Sequence, residues 1–180
     1  MSTSSDPRLG AIRLAWWRER LEELDERREA PAEPRLQAVA SELLPEGVTG
    51  RELSQLEDAW LPLLDAFPWG DAQANGLRLR GRILFGVGAR LLGGSSDAAE
   101  PAGELWSLID AVRHCSDRQS RDYLLNEARA VAVEGKVPRN LRPLTIIAAV
   151  AISNVRNPSS GVARGMAAAR HRFTGRIPAL

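Results

Sequence analysis

Leu9-Gly-Ala-Ile-Arg-Leu-Ala-Trp-Trp-Arg-Glu-Arg-Leu-Glu-Glu-Leu24 reads as one amphipathic helix. At 100° per residue, Leu9, Ile12, Trp16, Trp17, Leu21 and Leu24 share a broad apolar arc, and Ala11, Ala15, Arg18, Glu19 and Glu22 fall opposite as a solvated face. Arg13 and Arg20 break the pattern, two turns apart within the apolar arc. A buried guanidinium needs partners, because an unpaired charge in a core is strongly destabilising. Two inward arginines therefore call for inward carboxylates on neighbouring helices or for an anionic ligand.

Working outward, every segment reads as helix. Asp6-Pro7 is a start signal, an N-cap followed by proline at the first helical position, and the helix is expected to run to about 29, before Pro31 and Pro34. A second helix covers about 34–44. Thr49-Gly-Arg-Glu52 is a capping box opening a third, with Leu53, Leu56, Trp60, Leu63 and Phe67 as its stripe and an interruption at Pro62. The fourth, about 71–92, contains Gly76, Gly81, Gly86 and Gly88. Glycine inside a helix costs stability, so these positions imply the close approach of another helix or of a ligand. Gly93-Gly-Ser-Ser-Asp97 is a loop and the hinge candidate. A helix of about 101–115 follows, then one of about 118–134 for which Asp117 is a possible N-cap, ended by Gly135. Asn140 caps a helix of about 141–155 that is apolar nearly all round and is expected at the centre of the bundle. The last helix spans about 161–173. No alternating run makes a strand. The fold class is all-α, a single helical domain over 1–180 with about six or seven helices.

With 180 residues, 44% hydrophobic and 26% charged, the chain suits a globular domain, and a net charge of +1 gives no support to nucleic-acid binding. Cys115 is the only cysteine, and His114 and His171 the only histidines, so disulfides and Cys/His metal clusters are not expected. No secretory signal or membrane span is expected, and the composition suits the cytoplasm, peripheral to a membrane at most. Lys136 is the only lysine.

Leu9-Gly-Ala-Ile-Arg-Leu-Ala-Trp-Trp-Arg18 resembles a segment of the squalene/phytoene synthase family, in particular divergent bacterial members. These are themselves similar to a respiratory complex I assembly factor that does not act as a synthase. Gly103-Glu-Leu-Trp-Ser-Leu-Ile-Asp-Ala-Val-Arg-His114, Pro138-Arg-Asn-Leu-Arg-Pro-Leu144 and His171-Arg-Phe-Thr-Gly-Arg-Ile-Pro178 fit the same family. The resemblance implies an isoprenoid-synthase helical bundle in which two aspartate-rich motifs hold Mg²⁺ and the metal binds a substrate diphosphate.

This chain departs from both motifs. Only eight residues precede the first resembling stretch, with Asp6 their one acid, so the first motif is expected to be missing. The second would fall at Asp110 and Asp117, spaced by seven with Arg113 between them, an arrangement that favours an Asp110–Arg113 ion pair. The resulting expectation is a non-catalytic member with a binding or assembly role, without a cofactor. It would meet a protein partner or a second copy through the face left by the missing helix. The alternative is a divergent Mg²⁺-dependent prenyltransferase, with Arg13, Arg20 and Arg80 on an isoprenoid diphosphate, metal on Asp110 and Asp117, and a partner chain completing the site. A helical scaffold whose groove accepts a partner's helix is a third reading. Trp17, Trp106 and Arg113 join the arginines as ligand-binding candidates, and no residue is assigned a catalytic role.

Overall fold

Side-chain caps and prolines set the helix boundaries. The computed structural model describes residues 6–26 and 29–180; Met1 to Ser5, and the expected continuation of the first helix through Arg27 and Arg28, lie outside the described residues. The Asp6 carboxylate accepts from the Arg8 amide and opens α1 (Pro7–Asp25). Glu33, followed by Pro34, does the same for α2 (Pro34–Ala38), which continues through a π-turn and a 3₁₀ turn to Gly47 at φ +81°. All ordered elements are helical, with no strand among the described residues.

The chain divides into two compact units, Met1–Ala66 and Phe67–Leu180. In the first, α1 packs against α3 (Gly50–Ser54), α4 (Leu56–Trp60) and the 3₁₀ turn Leu61–Leu64 that contains Pro62. The third expected helix is thus broken twice, at Gln55 as well as at the proline. A Cβ on Gly50 would lie 1.8 Å from the Leu21 carbonyl oxygen, so only glycine allows this crossing. Asp25 then reaches from the end of α1 to accept from the Gly50 and Arg51 amides at 2.6 and 2.8 Å, and Thr49 Oγ1 accepts from Glu52 N. These side chains satisfy amides that a helix start leaves without partners.

This packing corrects the reading of α1. Gly10 lies against Leu64 and Leu21 against Gly50, and Leu24 is buried. Leu9, Ile12 and Trp16 remain 55%, 65% and 40% exposed. The short α3 and α4 cover only a narrow arc, so the other half of the apolar surface stays outside. Arg13 lies on that uncovered side and is exposed, not inward.

The second unit contains α5 (Asp71–Leu91), α6 (Glu100–His114), α7 (Arg118–Ala130), α8 (Arg142–Arg156) and α9 (Gly161–Thr174). Helices α5 and α6 run antiparallel and meet backbone to backbone. A Cβ on Gly81 would sit 2.2 Å from Gly103 O, and one on Gly103 would sit 2.3 Å from Gly81 O. The α5 glycine at this point therefore serves close helix packing. Helix α6 also packs against α7 and α8, and α8 against α9. Leu77, Phe85, Leu105, Leu108, Ile109, Leu124, Leu141 and Ile152 are buried. The centre lies at the α5–α6 pair rather than at α8, whose Ile147 is 40% exposed. The loop 93–97 closes α5: Gly93, at φ +66°, and Gly94 donate to Arg90 O and Ala89 O, and Ser96 Oγ donates to Gly86 O. Asn140 does not cap α8; its amide donates to Leu92 O at the other end of that loop. Helix α7 stops at Ala130, short of Gly135. Among the described residues no helix is long and apolar enough to cross a membrane.

Candidate functional site

Of the residues singled out from the sequence, Arg80, Trp106 and Asp110 come together. Arg80 is buried on α5, donating from Nε to Ser107 Oγ at 2.9 Å and from Nη2 to Asp110 Oδ2 at 2.9 Å, with its guanidinium 5.1 Å from the centre of the Trp106 ring. Trp106 also packs on Phe85. Asp110 further meets His114, whose Nδ1 lies 2.7 Å from the Asp110 carbonyl oxygen and 3.5 Å from Oδ1. The expected Asp110–Arg113 pair is therefore replaced by Asp110–Arg80, and Arg113 is exposed. Burial explains the exchange: Arg80 reaches Asp110 from α5 already shielded from water, whereas Arg113 stays exposed to solvent.

Asp117 is the N-cap of α7. Its Oδ2 accepts from both the amide and the hydroxyl of Ser120 at 2.7 Å, and these bonds hold its carboxyl below the usual carboxylate range. Ser120 in turn accepts from the Trp69 amide. With Asp110 pairing a buried guanidinium and Asp117 closing a helix end, the two acids do not fit a shared Mg²⁺ site, which needs free carboxylate oxygens converging on one point.

Arg13, Trp17 and Arg20 belong to the first unit. Arg20 is half-buried and pairs with Glu23 at 2.8 Å along its own helix, with Glu19 at 3.7 Å, and Trp17 meets Trp16 edge-to-face. Carboxylates of its own helix, rather than of a neighbouring one, answer the Arg20 charge.

A different set of charges surrounds open space. Lys136, Arg139, Arg142, Arg170 and Arg176, with Phe173 and Thr174, line a cavity of about 420 Å³, and no carboxylate is among the lining residues. Its frame is well fixed. Val137 N donates to Gly175 O, and Gly175 has φ +70°, where a Cβ would meet Val137 O at 2.6 Å. Arg142, one of the lining residues, donates from Nε to Val137 O and from Nη1 to the Arg172 and Phe173 carbonyls at the end of α9. His171 is buried, with Nε2 2.9 Å from Thr145 Oγ1 and Nδ1 3.2 Å from Arg176 O. Burial, assisted by the Arg142 charge, lowers the His171 pKa, so the ring is neutral near pH 7. Because a carbonyl can only accept, the neutral ring carries its proton on Nδ1, and the single Thr145 hydroxyl proton is shared between Leu141 O, 3.1 Å away, and His171 Nε2. Arg142 and His171 thus fix the frame, while Lys136, Arg139, Arg170 and Arg176 are exposed around it.

These cations were not among the sequence candidates, although Pro138–Leu144 and His171–Pro178 contain most of them. The available signal was charge segregation. Beyond Glu134 the chain has eight Lys or Arg and no Asp or Glu, which the net charge of +1 conceals. Compared with protein-family models, characterised proteins and solved structures, the chain matches none.

Proposed function

We propose that this protein is a non-catalytic binding protein of the squalene/phytoene synthase type, holding a diphosphate-bearing isoprenoid without turning it over. The observation that carries this reading is the separation of its charges. Asp110 and Asp117, where a metal-binding motif would fall, are engaged by Arg80 and Ser120, while five cations surround a cavity without a carboxylate. Arginine forks match phosphate oxygens, and several of them can hold a diphosphate without a bridging metal. Phe173 at the rim offers an apolar start for a prenyl chain. The isoprenoid part of the proposal comes from the sequence resemblance, and the anionic part from the cavity.

Calorimetric titration with farnesyl diphosphate, with and without Mg²⁺, tests it. Binding that is independent of magnesium and weakened at least tenfold in Arg139→Glu/Arg176→Glu is expected, an effect of the size that losing two charge-assisted contacts brings. Release of inorganic diphosphate in the presence of Mg²⁺ would make the protein a prenyltransferase instead. Absence of binding would remove the ligand.

A further inference from the structure

Helix α9 has its polarity reversed. Residues facing the rest of its unit are small or polar, Ala163, Arg164, Ala167, Ala168 and the buried His171. Residues facing outward are the large apolar ones: Val162 is 74% exposed, Met166 67% and Phe173 80%. With Ala169 they follow at i, i+4, i+7 and i+11, which places them on one narrow stripe. Arg170 flanks the stripe on one side and Arg172 on the other, both exposed, and Arg139 and Arg176 add to the charge at its C-terminal end.

We propose that this face of α9 lies on an anionic phospholipid surface. An exposed apolar stripe between cationic flanks, on a helix without an acid, is the pattern of helices that rest in the lipid interface: the apolar side chains enter the acyl boundary and the arginines reach back to the phosphates. At 14 residues α9 spans roughly 21 Å, enough to lie along the surface and too little to cross it. Charge complementarity selects this occupant over a second copy of the chain. A two-fold contact would bring Arg170 and Arg172 of both copies into one interface, with no carboxylate on the helix to offset them. The apolar centre of the stripe also distinguishes it from a nucleic-acid surface, where backbone phosphates meet cations throughout. This inference does not rest on the diphosphate reading, since Val162 and Met166 lie outside the cavity.

The test is co-sedimentation of the full chain with vesicles of phosphatidylcholine, alone or mixed with phosphatidylglycerol at roughly one part in four. Binding to the mixed vesicles, little to the neutral ones and release by salt are expected. Val162→Asp/Met166→Asp should lower the partition coefficient roughly tenfold or more while leaving helical circular dichroism and inorganic diphosphate binding unchanged. Equal binding to both vesicle types, binding unaffected by the double substitution, or no binding at all would overturn the proposal. So would a dimer in sedimentation that the double substitution dissolves, which would make the face a contact between copies. Arg139 and Arg176 also add charge beside the stripe, so their reversal should weaken both bindings; loss of vesicle binding alone in Val162→Asp/Met166→Asp is what separates the two sites.

Discussion

Arg80 shows how a residue that looks like a ligand contact can be wholly consumed by structure. Its guanidinium is buried and answered by Ser107, Asp110 and the face of Trp106, so cutting one partner leaves a charge without compensation. Asp110→Asn should destabilise the protein by about 2 kcal/mol, less than the roughly 3–5 typical of a fully buried pair because the Asp110 side chain is 29% exposed. Urea unfolding measures it, and a change under about 0.5 kcal/mol would mean that the pair is solvated. Tyr123, the single tyrosine of the chain, donates to Asp71 Oδ1, and that bond raises its pKa to about 12. The folded state holds the phenolic proton more tightly than the unfolded chain, so this contribution to stability is complete below about pH 10 and disappears as pH rises through about 12. Ultraviolet titration of the phenolate should give that midpoint, falling towards 10 in Asp71→Asn. From the sequence Arg80 was only a candidate diphosphate ligand; its pairing with three groups of another helix could not be read there, because periodicity along one helix does not say which side chains of a neighbour meet it.

At the scale of elements, glycines separate crossings that need them from positions that do not. A methyl on Gly81 would meet backbone, which cannot swing aside, so Gly81→Ala should cost more than about 3 kcal/mol or prevent folding of the second unit. Gly165, on α9, has nothing within 4 Å of its ideal Cβ; Gly165→Ala should stabilise by about 0.5–1 kcal/mol, and similar effects of the two in thermal denaturation would refute the distinction. Helix starts and lengths were largely legible: the glycine-rich α5 begins at Asp71 as read, α6 and α8 fall within a residue or so of expectation, and Asp117 caps α7. The buried faces were less so. Periodicity reports which side of a helix is apolar, and both α1 and α9 have apolar sides turned outward. In α1 the arc Leu14, Leu21, Leu24 competes with Leu9, Ile12, Trp16, and only the position of α3 and α4 decides between them.

For the molecule as a whole, the all-α class follows from cap signals and the lack of alternating runs, whereas the division at Ala66 left no sequence signal stronger than Pro68 and Gly70. The basic site was legible in principle. Its cations all lie in the acid-free stretch beyond Glu134, but a total charge near zero averages them against an acidic remainder. Residues 67–180 contain the α5–α6 seam and most of the large buried side chains. That span should fold by itself, with cooperative unfolding in urea, since it lies within the usual size range of independent domains. A fragment that shows helical signal without a cooperative transition would count against it.

The seam between Gly81 and Gly103 also bears on how such a sequence can change over generations. Each glycine is held in place by the main chain of the other, so a substitution at either position is harmful whatever stands opposite. A compensating second change cannot repair the first, because there is no side chain on the facing residue left to shrink. No succession of single replacements leads away from this pair while the crossing is kept. In a set of descendants these two columns should read glycine together, or the whole helix pair should have moved apart.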